Sequence, residues 1–228
     1  MVPAIAEGRP TVRTIEHRER QPYGKSETSL RFQKKVNVLR SSMNWREAML
    51  ECARCPALVR SRSRVVPGAG ELPADVVFVG IAPGRFGGDR TGIPFSGDRS
   101  GDLLRRMIER VNLKRVFITN IVRCNPRDRR GRNRDPDARE IANCSGHLAA
   151  ELALARPRLV VGLGRLAWRE LAGRSAPFAP FEAAPIETAG HLLLPMYHPA
   201  YVVRGAYAER SYARDFDRLA HLLKRTLR

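Results

Sequence analysis

A chain of 228 residues with 43% hydrophobic side chains is ordinary for a globular protein and long enough for one α/β domain with a well-buried core. Its 41 Lys and Arg face 23 Asp and Glu, and the resulting net charge of +18 points to a polyanionic partner, first of all nucleic acid. Because no apolar run approaches the ~18 residues that span a bilayer, and neither a lipidation motif nor the apolar core of a signal peptide is evident, no membrane partner is expected and the chain reads as a cytoplasmic protein with reduced thiols.

Residues 1–40 are polar, basic and without apolar periodicity, and read as a flexible or loosely docked arm. Residues 41–228 read as a single domain. A helix opens at Met43-Asn44-Trp45 and runs toward Cys52. The first strand, Val76–Val79, ends at Gly80, and a loop with six glycines follows from Gly80 to Asp98. Next come a helix over Leu103–Val111 and a second strand over Val116–Val122. Asp135-Pro136-Asp137 starts a helix that reaches about Ala155, with Pro136 in its first turn. Leu159–Val161 is the third strand and runs into Gly162-Leu163-Gly164; Leu166–Leu171 is helical. Leu192–Leu194 is the fourth strand and leads to Met196-Tyr197-His198, before a closing helix over Ala208–Leu227. Continuous apolar runs suit strands buried on both faces. Their alternation with helices predicts an α/β fold with a central, mainly parallel four-stranded sheet. Ligands of such sheets bind beyond the carboxyl ends of the strands, which selects the segments after Val79, at Asn120, after Val161 and at His198.

Cys52-Ala53-Arg54-Cys55 is a C-x-x-C pair, Cys124 follows the second strand and Cys144 lies on the next helix. Four such thiolates suit zinc or a [4Fe–4S] cluster, and their spacing does not choose between them. The glycine-rich segment can expose backbone N–H groups to a ligand. It is not a P-loop, since no Gly-Lys-Ser/Thr follows, and it lacks the G-x-G-x-x-G of dinucleotide sites.

From Cys52 to the C-terminus the chain resembles the iron–sulfur branch of the uracil-DNA glycosylase superfamily. The resemblance rests on Cys52-Ala53-Arg54-Cys55-Pro56, Gly80-Ile81-Ala82-Pro83-Gly84, Gly92-Ile93-Pro94-Phe95-Ser96-Gly97, Thr119-Asn120-Ile121-Val122-Arg123-Cys124, Cys144 and Tyr197-His198-Pro199-Ala200. The short path from Cys55 to Gly80 and the Thr119-Asn120 pair are similar to family four. Ile81, where family four carries an acidic residue, and the run from Asp89 to Asp98 are similar to family five.

The resemblance implies a three-layer α/β/α sandwich and a structural [4Fe–4S] cluster held by Cys52, Cys55, Cys124 and Cys144. It also implies a monofunctional N-glycosylase, a hydrolase of base excision repair that acts on DNA containing uracil, here expected as a monomer. Such an enzyme must extrude its target nucleotide to reach the glycosidic bond. Gly80, Ile81, Ala82, Pro83 and Gly84 would contact the uracil by backbone, Phe95 would stack on it, and Asn120 would read its Watson–Crick edge. His198 would donate to O2 as negative charge develops there. A carboxylate, Asp98 or else Asp89, would stabilise the positive sugar, although Asp98 also fits as the cap of the following helix. Arg127, Arg129, Arg130, Arg132 and Arg134 would bind phosphates, and a loop carrying Tyr201 and Arg204 would meet the base stack. Two rivals share part of the pattern: a non-catalytic DNA-binding metalloprotein, and a base-trapping relative that stays attached to the abasic sugar. The latter carry a His between the third and fourth cysteine positions, and none occurs between Cys124 and Cys144.

Overall fold

The structure, a computed structural model, describes residues 45–188 and 190–226. The expected arm at residues 1–40 lies outside the described residues.

Two short helices, α1 (Trp45–Leu50) and α2 (Pro56–Ser61), bracket the C-x-x-C pair. Cys55 is the N-cap residue of α2, and Pro56 follows in the first turn, where its missing N–H costs nothing. The sheet then begins with β1 (Ala69–Gly70) and β2 (Val76–Gly80). The glycine-rich segment is not all loop, because its middle forms one helical turn, α3 (Gly88–Thr91). Helix α4 (Arg99–Arg110) begins four residues before the apolar pattern does, since Asp98 caps it: Gly101 N–H donates to Oδ1 at 2.8 Å.

β3 (Val116–Asn120) precedes α5 (Ala138–Ala155), which a capping box between Asp137 and Glu140 starts. Pro136 therefore lies just outside this helix and not in its first turn. β4 (Leu159–Leu163), α6 (Arg165–Ala172), β5 (Ile186–Glu187) and β6 (Leu192–Met196) follow. The chain ends in α7 (Pro199–Val203) and α8 (Glu209–Thr226).

The sheet order is β1-β3-β2-β4-β6-β5. Its four inner strands are parallel, as expected, and every residue of β2, β3 and β4 is buried. The sheet has six strands and not four. β1 and β5 add antiparallel edges of two residues each, too short to show any periodicity in the sequence. One face packs Val77, Val79 and Phe117 against Met49, Leu58, Leu148 and Trp168. The other packs Phe78, Ile118 and Val161 against Leu104, Phe216 and Leu219. The result is three layers, α/β/α. β3 and β4 lie on opposite sides of β2, so the strand order reverses there and leaves a crevice at the carboxyl ends.

Candidate active site

The carboxyl ends of β2, β3 and β6 open onto one cavity of about 410 Å³, within the range of small-ligand sites. β2 ends at Gly80, where a Cβ would stand 2.5 Å from Asn120 Oδ1 and 2.7 Å from the Phe95 ring. Only glycine lets those two side chains close over the strand end. Ile81, Ala82, Pro83 and Gly84 continue along the cavity wall. Asn120 ends β3 and is 2% exposed; its Nδ2 is buried without a hydrogen-bond partner among the described residues.

Phe95 lines the same cavity with its backbone in the left-handed region at φ 51. That conformation costs about 1–3 kcal/mol for a bulky residue and persists only where neighbours impose it. Arg105 on α4 does so, donating Nε to the Phe95 carbonyl at 2.9 Å and Nη2 to the Pro94 carbonyl at 3.0 Å. The Phe95 and His198 rings lie 5.4 Å apart between centroids, tilted by 38°.

His198 is delivered by β6 and caps α7. Its Nδ1 accepts from Ala200 N–H at 3.1 Å. A ring that accepts at Nδ1 carries its proton at Nε2, so the tautomer is fixed with a donor left over. Burial, with the Arg204 charge adding to it, lowers the His198 pKa from 6.5 to about 4. The ring is therefore neutral at physiological pH. It packs over Gly164, where a Cβ would come within 3.1 Å of His198 Cβ.

The two candidate carboxylates part company. Asp98 lines the cavity while capping α4 through Oδ1; Oδ2 points toward Gly84 and Gly87, whose Cβ positions lie 3.5 and 2.1 Å from it. Asp89 does not reach the cavity wall. It is fully buried, pairs with Arg127, and accepts from Ser63 N–H at 3.0 and 3.2 Å, so it fastens the loop after α2 to the basic loop.

The basic loop is likewise more structured than a run of free charges. Arg127 pairs with Asp89, Arg132 with Asp128 at 2.8 Å, and Arg134 with buried Glu140 at 2.6 Å. Backbone N–H of Arg132, and then its side chain, hold the Asp128 pKa below its ordinary value. Arg129 and Arg130 are exposed, and their side chains have no partner among the described residues. Of the five arginines only Arg134 lines the cavity. The segment after His198 is the helix α7 and not an apolar-tipped loop. Val202 is buried, while Tyr201 is 40% exposed and stacks on Tyr197 at 5.4 Å. Arg204 caps the C-terminal end of that helix at the surface.

Asn125 and Asn133 were not singled out from the sequence. Both line the cavity, and Asn125 Nδ2 donates to the Pro83 carbonyl at 2.6 Å and to Asn133 Oδ1 at 2.9 Å. Arg85 N–H also donates to Asn133 Oδ1, at 3.1 Å, which ties the glycine-rich segment to the basic loop. The position of Asn125, just beyond a strand end and before Pro126, was the available signal.

All four cysteines are free thiols that line a second cavity under α1, α2 and α5. Arg62 Nη1 donates to Cys124 Sγ at 3.2 Å, Arg123 N–H to Cys144 Sγ at 3.3 Å and Asn143 Nδ2 to Cys55 Sγ at 3.4 Å. Burial raises the pKa of Cys124 to about 11 and also raises that of Cys144. Among the described residues no three His, Cys, Asp or Glu form a group that could hold a single metal ion.

A parallel α/β/α sandwich with a polar cavity at its switch point belongs to the class of α/β proteins that bind small groups at the strand ends. Residues 67–222 match the uracil DNA glycosylase superfamily, and the chain belongs to that family. It is similar to a Type-5 uracil-DNA glycosylase of Pyrobaculum aerophilum, 36% identical over 186 residues that cover 67% of this chain and 79% of the relative. A Type-4 uracil-DNA glycosylase of Archaeoglobus fulgidus is 33% identical, covering 76% and 89%. A Type-5 uracil-DNA glycosylase of Mycobacterium bovis is 33% identical, covering 65% and 69%. Relatives of both types thus match at similar identity.

Proposed function

We propose that this protein excises uracil from DNA by hydrolysis of the N-glycosidic bond, leaving an abasic site for base excision repair. The observation that carries this reading is the Asn120 side chain, whose Nδ2 is buried without a partner among the described residues, on the wall of a cavity that can take a base. An orphaned buried donor is costly, about 1–3 kcal/mol, unless a ligand acceptor completes it. Uracil O4 is such an acceptor, and uracil N3–H is a donor for Asn120 Oδ1. Cytosine reverses both groups, so the same amide discriminates against it.

The flipped base stacks on Phe95, with its edge toward Asn120 and O2 toward His198. As the N1–C1′ bond breaks, its electron pair goes to the base. A neutral His198 donating from Nε2 stabilises the charge that gathers on O2. A water molecule adds to C1′ of the positive sugar, losing a proton, and the uracil anion gains one. Asp98 faces that step as a fixed negative charge. Arg134 on the cavity wall and the exposed Arg129, Arg130, Tyr201 and Arg204 would meet the DNA strand.

We further propose that Cys52, Cys55, Cys124 and Cys144 hold a [4Fe–4S] cluster. The donor set fits: four thiols line one cavity and three of their sulfurs already accept N–H bonds, which stabilise thiolates. When bound, the cluster would order the chain around α1, α2 and the Arg123 segment. Reduced thiols of this kind suit a reducing compartment such as the cytoplasm. No helix among the described residues is long and apolar enough to cross a membrane.

Uracil release from an oligonucleotide at saturating enzyme tests the reading. The wild type is expected to release uracil and not cytosine. Asn120→Ala is expected to slow uracil release and reduce the uracil-to-cytosine preference by about tenfold or more. A variant with wild-type rate and preference would remove Asn120 from base recognition.

A further inference from the structure

The cysteine cavity holds a buried histidine that the four thiols do not explain. His147 lies one helical turn after Cys144 on α5 and lines the same cavity. It is 6% exposed, and its Nε2 is buried with no hydrogen-bond partner among the described residues. A buried imidazole left this way loses its hydration and gains nothing in return.

The rest of the wall shows what would complete it. Arg54, Arg62 and Arg123 line the cavity, and the Cys55, Cys124 and Cys144 sulfurs each receive an N–H bond. A wall of donors and guanidinium groups suits an occupant rich in acceptors and negatively charged. A thiolate-ligated iron–sulfur cluster has both properties, with inorganic sulfides and cysteine sulfurs as acceptors.

We propose that His147 is a fifth protein group of this site, a hydrogen-bond donor from Nε2 to a sulfur of the bound cluster that eases the cluster's reduction. The inference rests on the cluster reading given above. Hydrogen bonds to cluster sulfurs disperse the negative charge added on reduction and so raise the potential.

The test uses full-length protein reconstituted anaerobically with iron and sulfide, alongside His147→Phe, which keeps an aromatic ring but no donor, and His147→Gln, which keeps a donor. Metal content, the midpoint potential, and exchangeable-proton couplings of the reduced cluster in H₂O and D₂O are measured. His147→Phe is expected to bind iron as the wild type does, to shift its potential to a more negative value and to lose one exchangeable-proton coupling. His147→Gln is expected to recover both. Unchanged potential and couplings in a fully loaded His147→Phe protein overturn the role of His147 and leave the cluster standing. Should His147→Phe fail to assemble, His147→Gln decides: wild-type potential and coupling support the proposal, and loss of both overturns it. Zinc without iron in the wild type overturns the cluster and this inference together.

Discussion

The base cavity and the cysteine cavity are built on opposite principles. The first is formed by strand ends and glycine-rich backbone, its wall mixes neutral amides and a histidine with Asp98 and Arg134, and it opens to solvent where a nucleotide must enter and leave. The second lies among helices, its sulfurs are buried or half-buried, and arginines line it. Among the described residues each nevertheless contains orphaned buried nitrogen, Asn120 Nδ2 in one and His147 Nε2 with Arg123 Nε in the other. The two regions share a wall. Arg123 donates its backbone N–H to Cys144 Sγ, while its guanidinium donates to the carbonyls of Asn120 and Ile121 and pairs with Glu151. Glu151 in turn accepts from Thr119 Oγ1 and from Gly68 N–H. One buried ion pair thus holds the strand end that carries the base reader and the segment that carries a thiol.

The strongest way to break the comparison is to cut this shared wall. Glu151→Ala leaves the Arg123 charge, only 1% exposed, without its partner. Removing one member of a buried pair costs about 3–5 kcal/mol. Denaturant unfolding should register that loss, and uracil excision should fall with it because Asn120 loses its support. A stability within about 1 kcal/mol of wild type would show that the two cavities are held independently.

His198→Ala should separate chemistry from fold. Loss of one donor to a developing anion costs about 10²–10³ in rate, or roughly 2.7–4 kcal/mol, in single-turnover excision. The folded protein should survive, since the residue is half-buried and its cap bond to Ala200 serves only the short helix α7. The wild-type rate should also show no inflection near pH 6.5, because burial has moved the His198 pKa to about 4. The sign for stability follows from the same depression. The unfolded chain takes up the proton near pH 6.5 and the folded one only near pH 4, so His198 contributes stability above pH 6.5 that is lost as the pH falls toward 4. A rate that falls through an inflection at 6.5 would mean a charged His198 in the free enzyme.

The sequence made the scaffold readable because four apolar runs and the helices between them bury whole faces, which leaves a periodic trace. It also marked Gly80, Asn120 and His198, which stand at or beside strand ends, and Phe95, which lies in the glycine-rich segment; the structure brings Phe95, Asn120 and His198 to one cavity, with Gly80 packed against two of them. Two-residue edge strands and single-turn helices leave no such trace, so β1, β5, α3 and α7 were not foreseen. Charge partners were not legible either. Asp89 and the arginines of the basic loop look interchangeable in sequence, and only folding shows that Asp89 belongs to Arg127, Asp128 to Arg132 and Glu140 to Arg134. His147 went unnoticed because its significance lies in a missing partner, which no sequence pattern displays.

Asp98 tests whether one carboxylate serves both fold and chemistry. Asp98→Ala removes the cap on α4, worth about 0.5–2 kcal/mol, and also removes a negative charge from the cavity. Asp98→Asn keeps an oxygen for Gly101 N–H and removes only the charge. If the carboxylate stabilises the positive sugar, the Asn variant should be as stable as wild type and still excise uracil more slowly. Equal single-turnover rates for Asp98→Asn and wild type would reduce Asp98 to a cap.

The smallest effect is expected in the basic loop, and only at two of its five arginines. Arg127 is fixed by buried Asp89 and Arg134 by buried Glu140, so replacing either disturbs the loop itself. Arg132 shares its charge with Asp128 at the surface, where a pair is worth about 0–1 kcal/mol. Arg129 and Arg130 have exposed side chains without partners among the described residues, and so remain available to phosphate. Each phosphate contact contributes about 0.7–0.9 to the slope of log affinity against log salt. Arg129→Ala with Arg130→Ala should therefore flatten the slope by about 1–2 in undamaged DNA, with the same loss in every sequence and no change in the rate of bound complexes. Arg132→Ala should change it less, because the Arg132 charge is already engaged by Asp128. An unchanged slope in the double variant would place the loop away from the DNA and shift the phosphate contacts to the α7 side of the cavity, where Arg204 is exposed.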